Sequence, residues 1–198
     1  MKSLKGSIIV SSEHFKQEKR KETEWKPNRE LVLIRDSYTC VYCNFRSKSF
    51  MQVNHIGPEN DFQPENLETV CKPCHSILHM GVNAKNNLLT IIERNPDKSQ
   101  YQVIQRTREY IHNGLSWEQI EHLIIKEFMR FGGREFSKDE TCSLISLIAQ
   151  SIKFPSYRAY LPDIYLLVFH QEGPWIAPWD VTYPENVHKW GVRISSSK

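Results

Sequence analysis

Two Cys-x-x-Cys pairs, Cys40/Cys43 and Cys71/Cys74, flank an Asn54-His55 doublet, and the second pair runs into His75-x-x-x-His79. Each pair can present two thiolates from one tight turn, so the four predict a closed tetrahedral site for structural Zn²⁺. The histidines add a different chemistry. Four residues apart on a helix, His75 and His79 share a face and can aim both imidazoles at one cation. His55, on a strand facing that helix, could then take a proton from a water attacking a phosphodiester, because imidazole titrates near neutrality. A divalent ion in such a site withdraws charge from the scissile phosphate, which is metal-assisted hydrolysis. Asn66 offers both an amide donor and an acceptor, enough to tie down a loop and hold His55 in one orientation.

These side chains need elements to carry them. The alternation over Phe50–Ile56 predicts a strand, followed by a polar loop with Gly57-Pro58 and Gln63-Pro64 and a second strand leading into Cys71. Pro73 suits the first turn of the helix that bears His75 and His79, and Gly81 is its expected stop. Upstream, Ser7–Ser11 reads as a short strand. The basic stretch after it reads as a helix that Pro27 ends, with a separate short helix over Arg29–Asp36. Downstream the pattern is helical. Gln102–His112 stops at Asn113-Gly114, and capping boxes at Ser116-x-x-Gln119 and Ser137-x-x-Glu140 open helices over Ile120–Phe128 and Leu144–Ile152, the latter closed by Phe154-Pro155. Tyr165–Phe169 is strand-like, and Trp175, Trp179, Tyr183 and Trp190 form an aromatic tail suited to packing.

At 198 residues, 39% hydrophobic and 25% charged, the composition is that of an ordinary globular protein. No run approaches the ~20 apolar residues of a membrane helix. The opening Met1–Val10 is too short an apolar run for export, so a cytoplasmic location with reduced thiols is expected, favouring metal over disulfide. Cys142, in a periodic run, reads as a small buried residue. A net charge of +3 does not decide for nucleic acid. The cations are unevenly placed, however, and Lys19, Arg20, Lys21, Arg35, Arg46 and Lys48 are candidate phosphate contacts. The same mixed run around Lys19 also suits a solvated helix face.

The order Arg35-Asp36-x-Tyr38-x-Cys40-x-x-Cys43, Val53-Asn54-His55-Ile56, Pro64-Glu65-Asn66-Leu67 and Cys71-x-x-Cys74-His75-x-x-x-His79 resembles the HNH endonuclease family in its four-cysteine, zinc-anchored form, over residues 28 to 82. The resemblance implies a ββα-metal fold that nicks or cleaves DNA with a catalytic cation such as Mg²⁺, Mn²⁺ or Ni²⁺. It also implies His55 as general base, Asn66 as the loop-fixing asparagine, Asn54, His75 and His79 at the catalytic metal, and the four cysteines around structural Zn²⁺. Asn54 departs from the Asp or His common in the family, and its neutral carbonyl is a weaker donor. The expected class is α+β. Residues 1–27 form an N-terminal strand and basic helical arm, 28–95 the HNH domain, and 96–198 a mainly helical accessory region that would contact DNA or a protein partner. A narrower likeness, through the Cys-rich opening, Phe45, Lys48 and Val53-Asn54, is to the DotN (IcmJ) component of a type IV secretion coupling complex. It implies the alternative, a catalytically inactive zinc scaffold in a protein assembly. No small-molecule substrate and no membrane contact are expected.

Overall fold

A computed structural model describes residues 2–9, 22–58, 60–150, 158–170 and 174–175. In chain order the elements are β1 (Ser7–Ile9), α1 (Glu22–Arg35), β2 (Met51–His55), β3 (Leu67–Cys71), α2 (Lys72–Leu78), α3 (Met80–Lys85), β4 (Leu89–Glu93), α4 (Gln100–His112), α5 (Trp117–Phe128), α6 (Lys138–Gln150), β5 (Arg158–Tyr160) and β6 (Tyr165–Phe169). Helices and short antiparallel pairs alternate, so the expected α+β class holds, with four described helices, α3 to α6, following the cysteine-bearing segment.

Among the described residues the strands form three antiparallel pairs: β1 with β5, β2 with β3, and β4 with β6. In the β2–β3 hairpin, Met51 faces Cys71, Asn54 faces Glu68 and His55 faces Leu67. Alternation puts Asn54 and Glu68 on one face and His55, Val53 and Thr69 on the other. The second face receives α1, where the Thr69 hydroxyl donates to the Val32 carbonyl at 3.3 Å. The other two pairs join distant stretches: β4 meets β6 in the register Leu89↔Phe169 to Glu93↔Tyr165. Ile91, Leu167 and Phe169 enter the larger core with Val32, Leu67, Ile77 and the four cysteines. Ile92, Leu166 and Val168 enter a second core with Ile120, Ile124 and Phe128 of α5. The β4–β6 ribbon is thus apolar on both faces, and the Gln100 side chain pairs with both the N–H and the carbonyl of Leu167.

Local chemistry explains most boundaries. The boxes expected at Ser116/Gln119 and Ser137/Glu140 both form, the first with Gln119 N–H to Ser116 Oγ at 3.3 Å and Ser116 N–H to Gln119 Oε1 at 2.9 Å. A third, Ser99/Gln102, opens α4. Gly114, at φ 74°, follows α4 as expected.

Three boundary expectations need correcting. Pro27 does not end a helix: α1 runs through it from Glu22 to Arg35, although a proline there removes one backbone donor and crowds the carbonyl four residues back. The helix bearing His75 stops before Gly81. His79 takes φ −116°, ψ 44°, closing α2 and preceding α3, and Gly81 lies inside α3. Strands β4 and β5 were also not anticipated, because their pairing partners lie far along the chain. The basic stretch before Glu22, Phe154-Pro155 and the tail from Trp179 onward fall outside the described residues.

Candidate metal centres and active site

The first knuckle is built by backbone strain placed where a tight turn requires it. Ser37, Tyr38 and Asn44 all take positive φ, and the Cys40 N–H bonds the Phe45 carbonyl at 2.8 Å while Asn44 N–H returns to Cys40. That loop turns Cys40 and Cys43 inward. Cys71 ends β3 and caps α2, and Cys74 sits in the first turn behind Pro73, which completes the second knuckle. All four thiols are buried and their sulfurs lie within 4.8 Å of one another. The Cys43 and Cys71 sulfurs are 3.5 Å apart, far beyond the ~2.05 Å of a disulfide. Four soft donors from two knuckles fit a tetrahedral zinc ion. Burial drives the Cys40 and Cys74 thiols well above their usual range, the neighbouring thiols adding to it. At Cys43 burial pushes upward too, but hydrogen bonds from the other three and the charge of Arg108 bring it well below.

Arg108, on α4, is a functional residue that sequence reasoning missed. It is 3% exposed, and its guanidinium donates to Cys43 Sγ at 3.3 Å and Cys71 Sγ at 3.0 Å. The Phe45 ring stacks against it, 4.5 Å from centroid to guanidinium carbon. Burial disfavours its charge, yet the surrounding thiolates raise its pKa above the ordinary arginine value. One signal was present: Arg108 lies four residues after Ile104, on the buried stripe of α4.

His55 ends β2, 6% exposed, its ring stacked on Trp25 at 5.6 Å and met edge-on by Phe62 at 5.7 Å. Its backbone carbonyl accepts from Arg158 of β5. The loop after it is held by Asn66, whose Oδ1 accepts from Gly57 N–H at 2.7 Å while Nδ2 donates to the Pro58 and Asp61 carbonyls, each at 2.8 Å. A Cβ on Gly57 would stand 2.8 Å from that Oδ1, so the position needs glycine. Asn54 points to the other face, where Nδ2 donates to Glu68 Oε1 at 2.8 Å. The Tyr42 hydroxyl and Lys2 Nζ also reach the Glu68 carboxylate, each at 2.7 Å. Burial first, and then that carboxylate, raise the Tyr42 pKa above its usual value. The His75 and His79 rings, half-buried, meet edge to face with centroids 4.5 Å apart.

Two of the candidate phosphate contacts, Arg46 and Lys48, are exposed. Arg35 is exposed as well, but its guanidinium is already engaged, paired with both Asp36 oxygens at 2.8 and 2.9 Å and bonded to the Pro64 and Leu67 carbonyls. Its guanidinium shapes the strand entry beside Asn66. Lys19, Arg20 and Lys21 lie outside the described residues.

Residues 40–81 match the HNH endonuclease family. No curated protein matches the chain. The matched segment carries both knuckles, the β2–β3 hairpin, α2 and the side chains of Asn54, His55, Asn66, His75 and His79, and the likeness supports nuclease activity with metal-binding residues. Arg108 and Arg158 stand outside the match, on elements that pack against it. Among the described residues no helix is long and apolar enough to cross a membrane.

Proposed function

We propose that this protein is a metal-dependent endonuclease that hydrolyses DNA phosphodiester bonds, with His55 as general base. The observation that carries the reading is the HNH match over residues 40–81, the stretch that holds Asn54, His55, Asn66, His75 and His79. The residues present fit a divalent cation such as Mg²⁺, Mn²⁺ or Ni²⁺: two imidazoles, donors suited to Ni²⁺, meet edge to face, and the buried Asn54 Oδ1, an oxygen of the kind Mg²⁺ and Mn²⁺ take, has no hydrogen-bond partner among the described residues. When bound, the ion would supply Lewis-acid stabilisation of charge on the scissile phosphate.

His75, His79 and Asn54 would hold it. His55 takes a proton from the attacking water, and Trp25 and Phe62 limit the ring's freedom so that its nitrogens keep one direction. Asn66 acts through the loop it fixes, and misplacement by about 1 Å at such a base costs on the order of a hundredfold. The four cysteines and Zn²⁺ would anchor the hairpin and α2 away from the reacting atoms. Arg46 and Lys48, with Lys19, Arg20 and Lys21, would contact backbone phosphates, while residues 96–198 would form an accessory region selecting the target or a protein partner. The undisulfided thiols support a cytoplasmic site of action, in a phage, mobile-element or defence setting.

Plasmid nicking with Mg²⁺, Mn²⁺ and Ni²⁺, run beside His55→Gln at checked zinc content, tests the reading. Cleavage in the parent and its loss in the variant, with melting retained, is the expected result. Absence of cleavage by the zinc-loaded parent with all three cations overturns it in favour of the inactive zinc scaffold. For DNA contact, Arg46→Ala with Lys48→Ala should weaken binding on every sequence and lower the slope of log K against log salt by about 2.

A further inference from the structure

We propose that Glu68 is a positioning residue for the catalytic cation: it fixes the side-chain amide of Asn54 so that Oδ1 is the ligand, and it polarises that amide toward the oxygen. The inference rests on the nuclease reading above. An ionised carboxylate can only accept hydrogen bonds. Directly opposite in register, Glu68 therefore dictates that Asn54 present Nδ2 to it, at 2.8 Å. The carboxylate cannot turn aside, because it is 2% exposed and held by the Tyr42 hydroxyl on the same oxygen and by Lys2 on the other. Oδ1 is left facing away from Glu68, buried, with no hydrogen-bond partner among the described residues. A hard divalent ion is the kind of ligand an amide oxygen accepts.

Donation from the amide N–H to a charged acceptor also polarises the amide, moving electron density onto Oδ1. Asn54 thus offers an oxygen made more electron-rich by the Glu68 carboxylate behind it, whose own charge Lys2 pairs on the other side. This reverses a simple expectation from ligand strength. Asn54→Asp should not improve the site, because an aspartate there has no N–H to donate and sets two acceptor groups face to face at the distance of the lost hydrogen bond. Exchanging both groups, Asn54→Asp with Glu68→Gln, keeps the charge and the hydrogen bond and only swaps their order.

The test is calorimetric Mn²⁺ binding to the zinc-loaded full chain. A Glu121→Gln background is used throughout, because Glu121, Glu135 and His170 form a separate ligand-like group outside residues 40–81. Zinc content and melting serve as fold controls. Glu68→Gln is expected to weaken Mn²⁺ binding by about 10- to 100-fold. Asn54→Asp should also weaken it, and the double variant should recover most of the loss. Binding by Glu68→Gln within about twofold of the parent overturns the inference, as does a double variant no better than the weaker single, or a parent that binds no Mn²⁺. Should Glu68→Gln alone lose zinc, Asn54→Asp against the double variant decides. Cleavage is scored on the same proteins. His55-dependent cutting that ignores Glu68→Gln leaves the nuclease reading standing without the inference. Mn²⁺ binding that follows both residues without any cutting does the opposite.

Discussion

Arg108 carries a full positive charge into a place that water does not reach, and the thiols of Cys43 and Cys71 are what make that tolerable. Removing one partner of such a pair leaves the other buried and uncompensated. Arg108→Met should therefore cost about 3–5 kcal/mol in urea or thermal unfolding and speed zinc loss to a chelator. Arg108→Lys should recover only part of this, because an ammonium cannot fork across two sulfurs. The contrast with the cysteines shows what is legible in a sequence. Cys40, Cys43, Cys71, Cys74, His55, Asn66, His75 and His79 announce themselves by type and spacing, and the structure gathers the four cysteines as expected. Arg108, Glu68 and Arg158 look like ordinary charged residues, and they acquire meaning only from partners 37, 14 and 103 positions away.

Among the elements, α1 is fastened to the hairpin by Asp36, whose carboxylate takes Arg35 on both oxygens and the Thr69 N–H at 2.9 Å. Burial alone would raise its pKa, but those hydrogen bonds outweigh it and hold the carboxyl below the usual range. A depressed folded value contributes stability that is complete above the unfolded pKa, near 3.9, and is lost as pH falls through the folded one. Asp36→Asn should accordingly melt lower than the parent at pH 7, with the gap closing below about pH 4. Helix starts were the most readable feature, since a capping box is a local interaction, and Ser116→Ala should cost about 1 kcal/mol in thermal unfolding. The break at His79 and the passage of α1 through Pro27 were not readable, because propensity is a weak guide to where a helix ends and both run against the local preference of glycine and proline.

At the level of the whole molecule, the C-terminal strands hold the N-terminal half together: β6 covers β4, and β5 lies on β1 beside the end of α2. A chain stopped at residue 150 lacks both strands and exposes Ile91 and Ile92 on an open edge. It should melt without cooperativity and associate through that edge, as gel filtration and calorimetry would show. This interlock was invisible beforehand because strand pairing over such separations leaves no local pattern. Arg158 adds a matter of timing. Between His55 and Arg158 lie 103 residues, about 5–20 s of ribosomal synthesis. For the last 77 residues of that interval, from 81 to 158, a nascent chain already contains the whole matched segment, yet the His55 carbonyl has not met its donor. On the proposed reading, the strand end that bears the general base gains this tie only when β5 arrives, late in synthesis.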